Sequence, residues 1–212
     1  MDVYGDETLT VMRFGPLGPY ANNAYIIADE ATREAIVVDM PSGSAEVLTA
    51  ANDLRVKAIV LTHTHPDHWM DYDLVKNTFQ APVLCHPAER IMPADKIDGP
   101  LADGQEMSVG THTVTALLTP GHTPGSTCFL VKRFVFTGDT LFPGGPGRTN
   151  TPQDLQQTIG SITSTLFSLA DDTDVLPGHG DGTTIGTAKA EYATFAAREH
   201  PADLHGDVTW AG

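Results

Sequence analysis

Cysteine is scarce. Only Cys85 and Cys128 occur in 212 residues, which excludes a disulfide framework, and both stand in apolar, strand-like surroundings that suit buried thiols. Basic residues are scarce as well: 12 Lys plus Arg face 27 Asp plus Glu, a formal net charge of −15. A phosphate backbone needs a basic face that this balance does not supply, so nucleic acid is not expected as a partner. No apolar run approaches the ~20 residues of a membrane-spanning helix, and no membrane partner is expected. The acidic opening Met1-Asp2-Val3-Tyr4-Gly5-Asp6-Glu7 has no cationic start followed by an apolar core. No signal peptide is read there, and the cytoplasm is the expected location. Low-complexity tracts and fixed-period repeats are missing too. With 41% hydrophobic and 18% charged residues the composition is that of an ordinary globular chain, and residues 1–212 suit one α/β domain better than two small ones.

What the chain does have is a succession of short apolar, β-branched runs. Thr8 to Phe14, Asn23 to Ala28 and Ala35 to Val38 read as an antiparallel meander, with a turn at Gly15-Pro16-Leu17-Gly18-Pro19. Ser44 reads as the N-cap of a short helix reaching Asn52, with Val47, Leu48 and Ala51 on one face. Lys57 to Leu61 is a buried strand, Tyr72 to Phe79 a helix with Leu74, Val75 and Phe79 inward, and Pro82 to Cys85 a further strand. Strand, helix, strand implies a parallel pair. Prolines and glycines break 87–104 into an irregular excursion with a short helix. Four strands follow at Gln105–Val109, Thr111–Thr119, Ser126–Val131 and Phe134–Thr137. A helix over Asp154–Leu169 carries Leu155, Ile159, Ile162 and Leu166 at helical spacing. A short strand at Asp174–Leu176, a helix at Thr184–Arg198 and a polar tail from Pro201 complete the chain. Two blocks of strands, each followed by helices, predict two packed sheets flanked by helices.

Chemistry-bearing residues gather where strands end. His63-Thr64-His65-Pro66-Asp67-His68 places four metal-ligand side chains in six residues directly after the strand at 57–61. Residues two apart on extended chain point the same way, so His63 and His65 converge on one cation while Asp67 and His68 face another. Taken singly, Asp67 would serve as a helix cap and a histidine as a packing residue. Crowded together and partly buried, they would repel or go unpaired without a metal. Three later residues repeat one design of apolar strand, glycine, ligand: His122 in Pro120-Gly121-His122, Asp139 in Thr137-Gly138-Asp139 and His179 in Pro177-Gly178-His179. Each alone is equally a turn residue. Together they complete two sets: His63, His65 and His122 for one zinc with an open position, Asp67, His68 and His179 for a second ion, and Asp139 as the bridge. Two adjacent ions can hold one hydroxide at neutral pH, a nucleophile for an acyl or phosphoryl centre.

These residues resemble the signature of the metallo-β-lactamase superfamily, H-x-H-x-D-H, with the later ligands at His122, Asp139 and His179, over roughly residues 9 to 190. The resemblance implies an αββα sandwich of two mixed sheets, with two divalent ions, zinc by preference and iron or manganese as alternatives, at one end. Phe136-Thr137-Gly138-Asp139-Thr140-Leu141-Phe142 followed by Gly144-Gly145-Pro146-Gly147-Arg148 is similar to glyoxalase II, the hydroxyacylglutathione hydrolases. That similarity implies a small-molecule thioester substrate, attack by the bridging hydroxide, Asp67 and Asp139 as the catalytic carboxylates, and Arg148 as a substrate contact. Arg148 bonding loop carbonyls is the competing reading of that residue. The chain departs from glyoxalase II in ending with one helix and a short acidic tail after His179, and in Arg148-Thr149-Asn150, so a glutathione site is not implied. The same fold includes persulfide dioxygenases, which use one iron held at positions matching His63, His122 and Asp139, and lactonases that keep all seven ligands. It also includes binding modules that have lost ligands, a reading that seven intact ligands disfavour. Self-association is left open. Trp69 and Met70 are read as a pocket wall or as packing; Tyr20, Asn22 and Asn23 lie on a hairpin beside the site; Phe142 and Pro143 are weaker candidates. His86 reads as a pocket or a structural residue, and His112, His200 and His205 as surface residues.

Overall fold

The computed structural model describes residues 1–210. The first half of the chain builds a seven-stranded sheet in sequence order: β1 (Asp2–Gly5), β2 (Leu9–Leu17), β3 (Asn22–Asp29), β4 (Glu34–Val38), β5 (Arg55–Val60), β6 (Val83–Cys85) and β7 (Gly99–Pro100). Helix α1 (Ala45–Ala50) links β4 to β5, and α2 (Tyr72–Phe79) links β5 to β6. The second half builds a six-stranded sheet from β8 (Glu106–Val109), β9 (His112–Leu118), β10 (Thr127–Val131), β11 (Phe134–Gly138), β14 (Asp174–Pro177) and β15 (Thr183–Thr184), ordered β15-β14-β11-β10-β9-β8. Between β11 and β14 lie a small hairpin, β12 (Leu141–Phe142) with β13 (Gly145–Pro146), and helix α3 (Pro152–Ser164); α4 (Ile185–Ala196) follows β15.

Burial explains the layering. Val11, Ile27, Val60, Val114, Phe129 and Phe136 pack between the two sheets. Ile26, Val37 and Ile59 point the other way, onto Val47 of α1 and Val75 of α2, as the two-residue alternation of a strand requires. Cys128, Val135 and Val175 cover the second sheet's outer face against Leu155, Ile162, Ile185 and Phe195. Every residue of β3 is buried, because that strand has apolar neighbours on both faces. Both thiols are buried and free, and burial pushes each up to about 11, toward the protonated form. Among the described residues no helix is long and apolar enough to cross a membrane.

Strand direction decides where the ligands meet. β4, β5 and β6 run parallel, so the residues just past them, including Asp39 and His63, emerge at one edge. β11 and β14 are also parallel, which brings Asp139 and His179 out together.

Six expectations are corrected. The Gly15–Leu17 segment is not a turn but the end of β2, continued past a register shift between Phe14 and Leu17. Ser44 does not cap α1 with its side chain; its hydroxyl donates to Pro41 O at 2.6 Å instead. Leu74 is 44% exposed, and Val75 alone of α2 is fully buried. Helix α3 begins earlier and ends sooner than 154–169, capped by Thr151 Oγ1 accepting from Asp154 N at 3.1 Å. The tail is not simply polar, since Trp210 is wholly buried beside Phe167 and Tyr192. His112 also differs from the surface role expected of it: its Nε2 lies 2.9 Å from Thr8 O and 3.6 Å from Asp29, with the side chain mostly covered.

Candidate metal centre

All seven sequence-nominated residues converge at the shared edge of the sheets. Three overlapping groups, His63 with His65 and His122, His63 with His68 and Asp139, and Asp67 with His68 and His179, each place their potential ligand atoms within 4.8 Å of one another. His65 Nδ1 stands 3.0 Å from His63 Nε2 and 3.0 Å from His122 Nε2. On the other side, Asp67 Oδ2 is 3.5 Å from His68 Nε2 and 3.4 Å from His179 Nε2. These spacings are close to the ~3.3 Å edge of a tetrahedral shell with metal–nitrogen bonds of ~2.0–2.1 Å. Asp139 lies between the groups: Oδ2 is 4.0 Å from His63 Nε2, 3.7 Å from His122 Nε2 and 3.5 Å from His179 Nε2, while Oδ1 is 3.5 Å from His68 Nε2.

The imidazoles are held by their other nitrogens. His122 Nδ1 donates to Arg148 O at 2.8 Å, and His179 Nδ1 to Tyr20 O at 2.9 Å. His68 Nδ1 donates to Asp39 Oδ2 at 2.8 Å. His63 Nδ1 lies 3.1 Å from Thr62 Oγ1, which itself donates to Asp39 Oδ2 at 2.8 Å. One carboxylate therefore sets the tautomers of a histidine on each side of the centre. Asp39 was not singled out from sequence, where it reads as part of a turn; its positive φ of 60° is the local oddity that marks it. The hairpin asparagines acquire roles: Asn22 Nδ2 donates to Asp67 Oδ2 at 2.8 Å, and Asn23 Nδ2 donates at 2.9 Å to the carbonyls of both Pro177 and Gly180, fixing the loop that carries His179. Gly178 is required by close approach, because a Cβ there would lie 2.4 Å from Asp139 Oδ1 and 2.7 Å from His68 Cε1.

Electrostatics divides the cluster. Burial, reinforced at His63 by His68 and at His65 by His122, holds both well toward the neutral imidazole that ligates a cation. At His179 burial is outweighed by the facing carboxylates of Asp139 and Asp67, 3.5 and 3.4 Å away, which push it up to about 10. At His68 burial is outweighed by Asp139 and Asp39, which also raise it. Burial opposes ionisation of Asp139 and Asp67, yet His68 and His179 hold both carboxyls well below their usual range. The carboxylates thus concentrate negative potential where positive charge belongs. His68 Nε2 and Asp139 Oδ1 are buried without a hydrogen-bond partner. Two such orphans facing each other are costly unless a cation completes them, and a nitrogen and oxygen donor set fits zinc or a similar dication.

Beside the centre opens a cavity of about 370 Å³ lined by His122, Asp139, Phe142, Arg148, His179 and Asp207. The Arg148 side chain is 70% exposed and its nearest charged partner is Asp207, at 3.7 Å. Its guanidinium makes no bond to a loop carbonyl among the described residues; the loop function belongs to its own carbonyl, which receives His122. Phe142 and Pro143 also line the cavity. Trp69 instead packs under the first sheet and donates to Thr64 O at 3.0 Å, while Met70 is 52% exposed. His86 lines a separate cleft of about 600 Å³ that contains none of the seven residues. His200 stacks on Phe195, and His205 is exposed.

Two mixed sheets between helices, with a histidine and aspartate cluster at their common edge, define an αββα metalloprotein. The sequence matches the family model "Metallo-beta-lactamase superfamily" over residues 17–179. The chain belongs to that superfamily, which includes metal-dependent hydrolases, and the match closes on His179. It is similar to hydroxyacylglutathione hydrolase GloC of Haemophilus influenzae, 34% identical with 82% of this chain and 92% of the relative covered. It is also similar to the probable polyketide biosynthesis zinc-dependent hydrolase PksB of Bacillus subtilis, 33% identical over 79% of this chain and 76% of the relative. Among solved structures, TTHA1623 in a di-iron-bound form superposes with a TM-score of 0.70 at 29% identity, covering 83% of this chain and 96% of that one.

Proposed function

We propose that this chain is a binuclear metal-dependent hydrolase acting on a thioester. The observation that carries the reading is the pair of adjoining three-ligand groups with Asp139 between them and two buried, unpartnered ligand atoms at their junction. In this reading His63, His65 and His122 hold one ion, Asp67, His68 and His179 the other, and Asp139 serves both. Bound dications supply Lewis acidity and a water deprotonated at neutral pH. Zinc is the preferred metal; the di-iron form of TTHA1623 keeps iron in view.

The chain's own residues do the rest. Asp67, steadied by Asn22, orients the attacking water and receives its hydrogen bond. Phe142 and Pro143 shield the carbonyl from bulk solvent, and Arg148 at the cavity rim is positioned to meet an anionic group on the substrate. Support for a thioester comes from the Gly138–Arg148 segment, which folds into the β12–β13 hairpin and lines the cavity, and from the likeness to a hydroxyacylglutathione hydrolase. A second reading uses fewer ligands. His63, His122 and Asp139 form a two-histidine, one-carboxylate set with nitrogen to oxygen distances of 4.0 and 3.7 Å, the donor set of a single-iron oxygenase such as a persulfide dioxygenase.

The test is elemental analysis of the purified chain alongside hydrolysis of a model thioester and of a lactone. Near two dications per chain with thioester turnover is expected. One iron with oxygen uptake on a persulfide would replace this reading by the second, and lactone turnover alone would move the substrate class. Asp139→Ala is expected to lower metal content below two and to reduce turnover by more than the ~10–100-fold typical of residues that only support a ligand.

A further inference from the structure

The loop after β6 places a carboxylate in the interior. Glu89 is 8% exposed and touches none of the seven candidate ligands, yet it accepts four hydrogen bonds from the segments that carry them. Oε2 receives Thr64 N at 2.9 Å and the Thr64 hydroxyl; Oε1 receives Gly125 N at 3.0 Å and the Thr123 hydroxyl. Thr64 stands between His63 and His65, at the end of the first sheet. Thr123 directly follows His122, in the β9–β10 connection of the second. The contact is close: a Cβ added at Gly125 would lie 2.8 Å from Glu89 Cγ.

The geometry points to Glu89 as the positioning residue for one half of the metal centre. We infer that it clamps the His63/His65 segment to the His122 segment and so sets the spacing of that ligand trio, without acting on Asp67, His68 and His179. The physical case is one of rigidity. His63, His65 and His122 come from different sheets, and a trio at 3.0 Å contacts needs its two supporting loops fixed to a few tenths of an ångström. A buried carboxylate filled by two backbone N–H groups and two hydroxyls does this, because any separation of the loops leaves it unpaired in the interior. On the other side, His68 is held by Asp39, Asp67 by Asn22 and His179 by Tyr20 O, none of which contacts Glu89.

This inference rests on the binuclear reading, and single-site backgrounds separate the two. Zinc affinity is measured by chelator competition on the full chain, with circular dichroism as the check on folding. In a His179→Ala background, Glu89→Ala is expected to weaken the remaining zinc by ~10–100-fold, the range for supporting partners of metal ligands. In a His122→Ala background, the same change is expected to leave zinc affinity unaltered. Thr123→Val, which removes one of the four bonds and keeps the carboxylate, is expected to give a smaller loss in the first background, and it serves if Glu89→Ala does not fold. Equal weakening in both backgrounds, or unchanged affinity in the His179→Ala background, would overturn the assignment and leave Glu89 a general stabiliser. A parent chain that binds fewer than two zinc ions would instead remove the binuclear reading.

Discussion

Asp39 shows how much of the centre hangs on a side chain that touches no substrate. It accepts from His68 directly, from His63 through Thr62, and from Thr62 N at 2.9 Å, so one carboxylate fixes ring orientation on both sides of the cluster. Removing it leaves the His68 Nδ1 proton unpartnered in a buried site and releases the Thr62 hydroxyl that holds His63. Asp39→Ala is therefore expected to weaken binding of both metals by ~10–100-fold, whereas Thr62→Val affects the His63 side alone. Chelator competition with zinc reads both. A variant of Asp39 that kept parental affinity would show that packing by itself orients these rings.

At the scale of elements, the two sheets are tied at the edge away from the candidate metal centre by Asp29, the last residue of β3. It receives Thr32 N at 2.7 Å and Thr32 Oγ1 at 2.8 Å within its own sheet, and Thr111 N and Oγ1, both at 2.9 Å, from the β8–β9 turn of the other. Backbone donation from Thr111 and Thr32 holds its carboxyl well below the usual range. The sign of the pH effect follows. A depressed carboxylate stabilises the fold above its unfolded value of ~3.9, and the contribution fades as pH falls toward the folded value. The stability gap between parent and Asp29→Ala, measured by urea denaturation, is expected to be full near pH 7 and to shrink below about pH 4. A gap that widened on acidification would reverse the assignment. His112 Nε2 also faces this carboxylate, 3.6 Å away.

Over the whole molecule, the C-terminal segment closes the cavity. Trp210 is wholly buried, 5.2 Å from Tyr192 and 6.2 Å from Phe167 between ring centres, and its backbone N–H donates to Gly144 O at 2.7 Å. Thr149 and Gly206 exchange two backbone bonds of 3.1 Å. The tail is thereby pinned to the 144–149 loop, and Asp207, Val208 and Thr209 become one wall of the cavity. Trp210→Ala is expected to cost ~3–5 kcal/mol of stability, read as a lower urea midpoint, and to raise KM more than it lowers kcat, since the ligands lie elsewhere. An unchanged midpoint would mean the segment is not anchored through this ring.

Much of this was legible in the residues themselves. Short apolar, β-branched runs gave most of the longer strands to within one or two residues, and His63, His65, Asp67, His68, His122, Asp139 and His179 could each be named because a local pattern, apolar strand then ligand, repeats. Those signals are local, and a chain's immediate neighbours decide them. Asp39, Glu89 and the buried Trp210 could not be named, and Asn22 could be placed beside the site but not given its partner, Asp67. Glu89 reaches Thr64, Thr123 and Gly125 across separations of 25, 34 and 36 residues, and a hydrogen bond between loops of two different sheets leaves no trace in propensity or periodicity. The sequence by itself determined most of the elements, the two-block order and the candidate ligand set. Only the tertiary structure decided which side chains hold the candidate ligands in place, because those contacts exist only after parallel strand pairing has brought the ends of β4, β5, β11 and β14 to one edge.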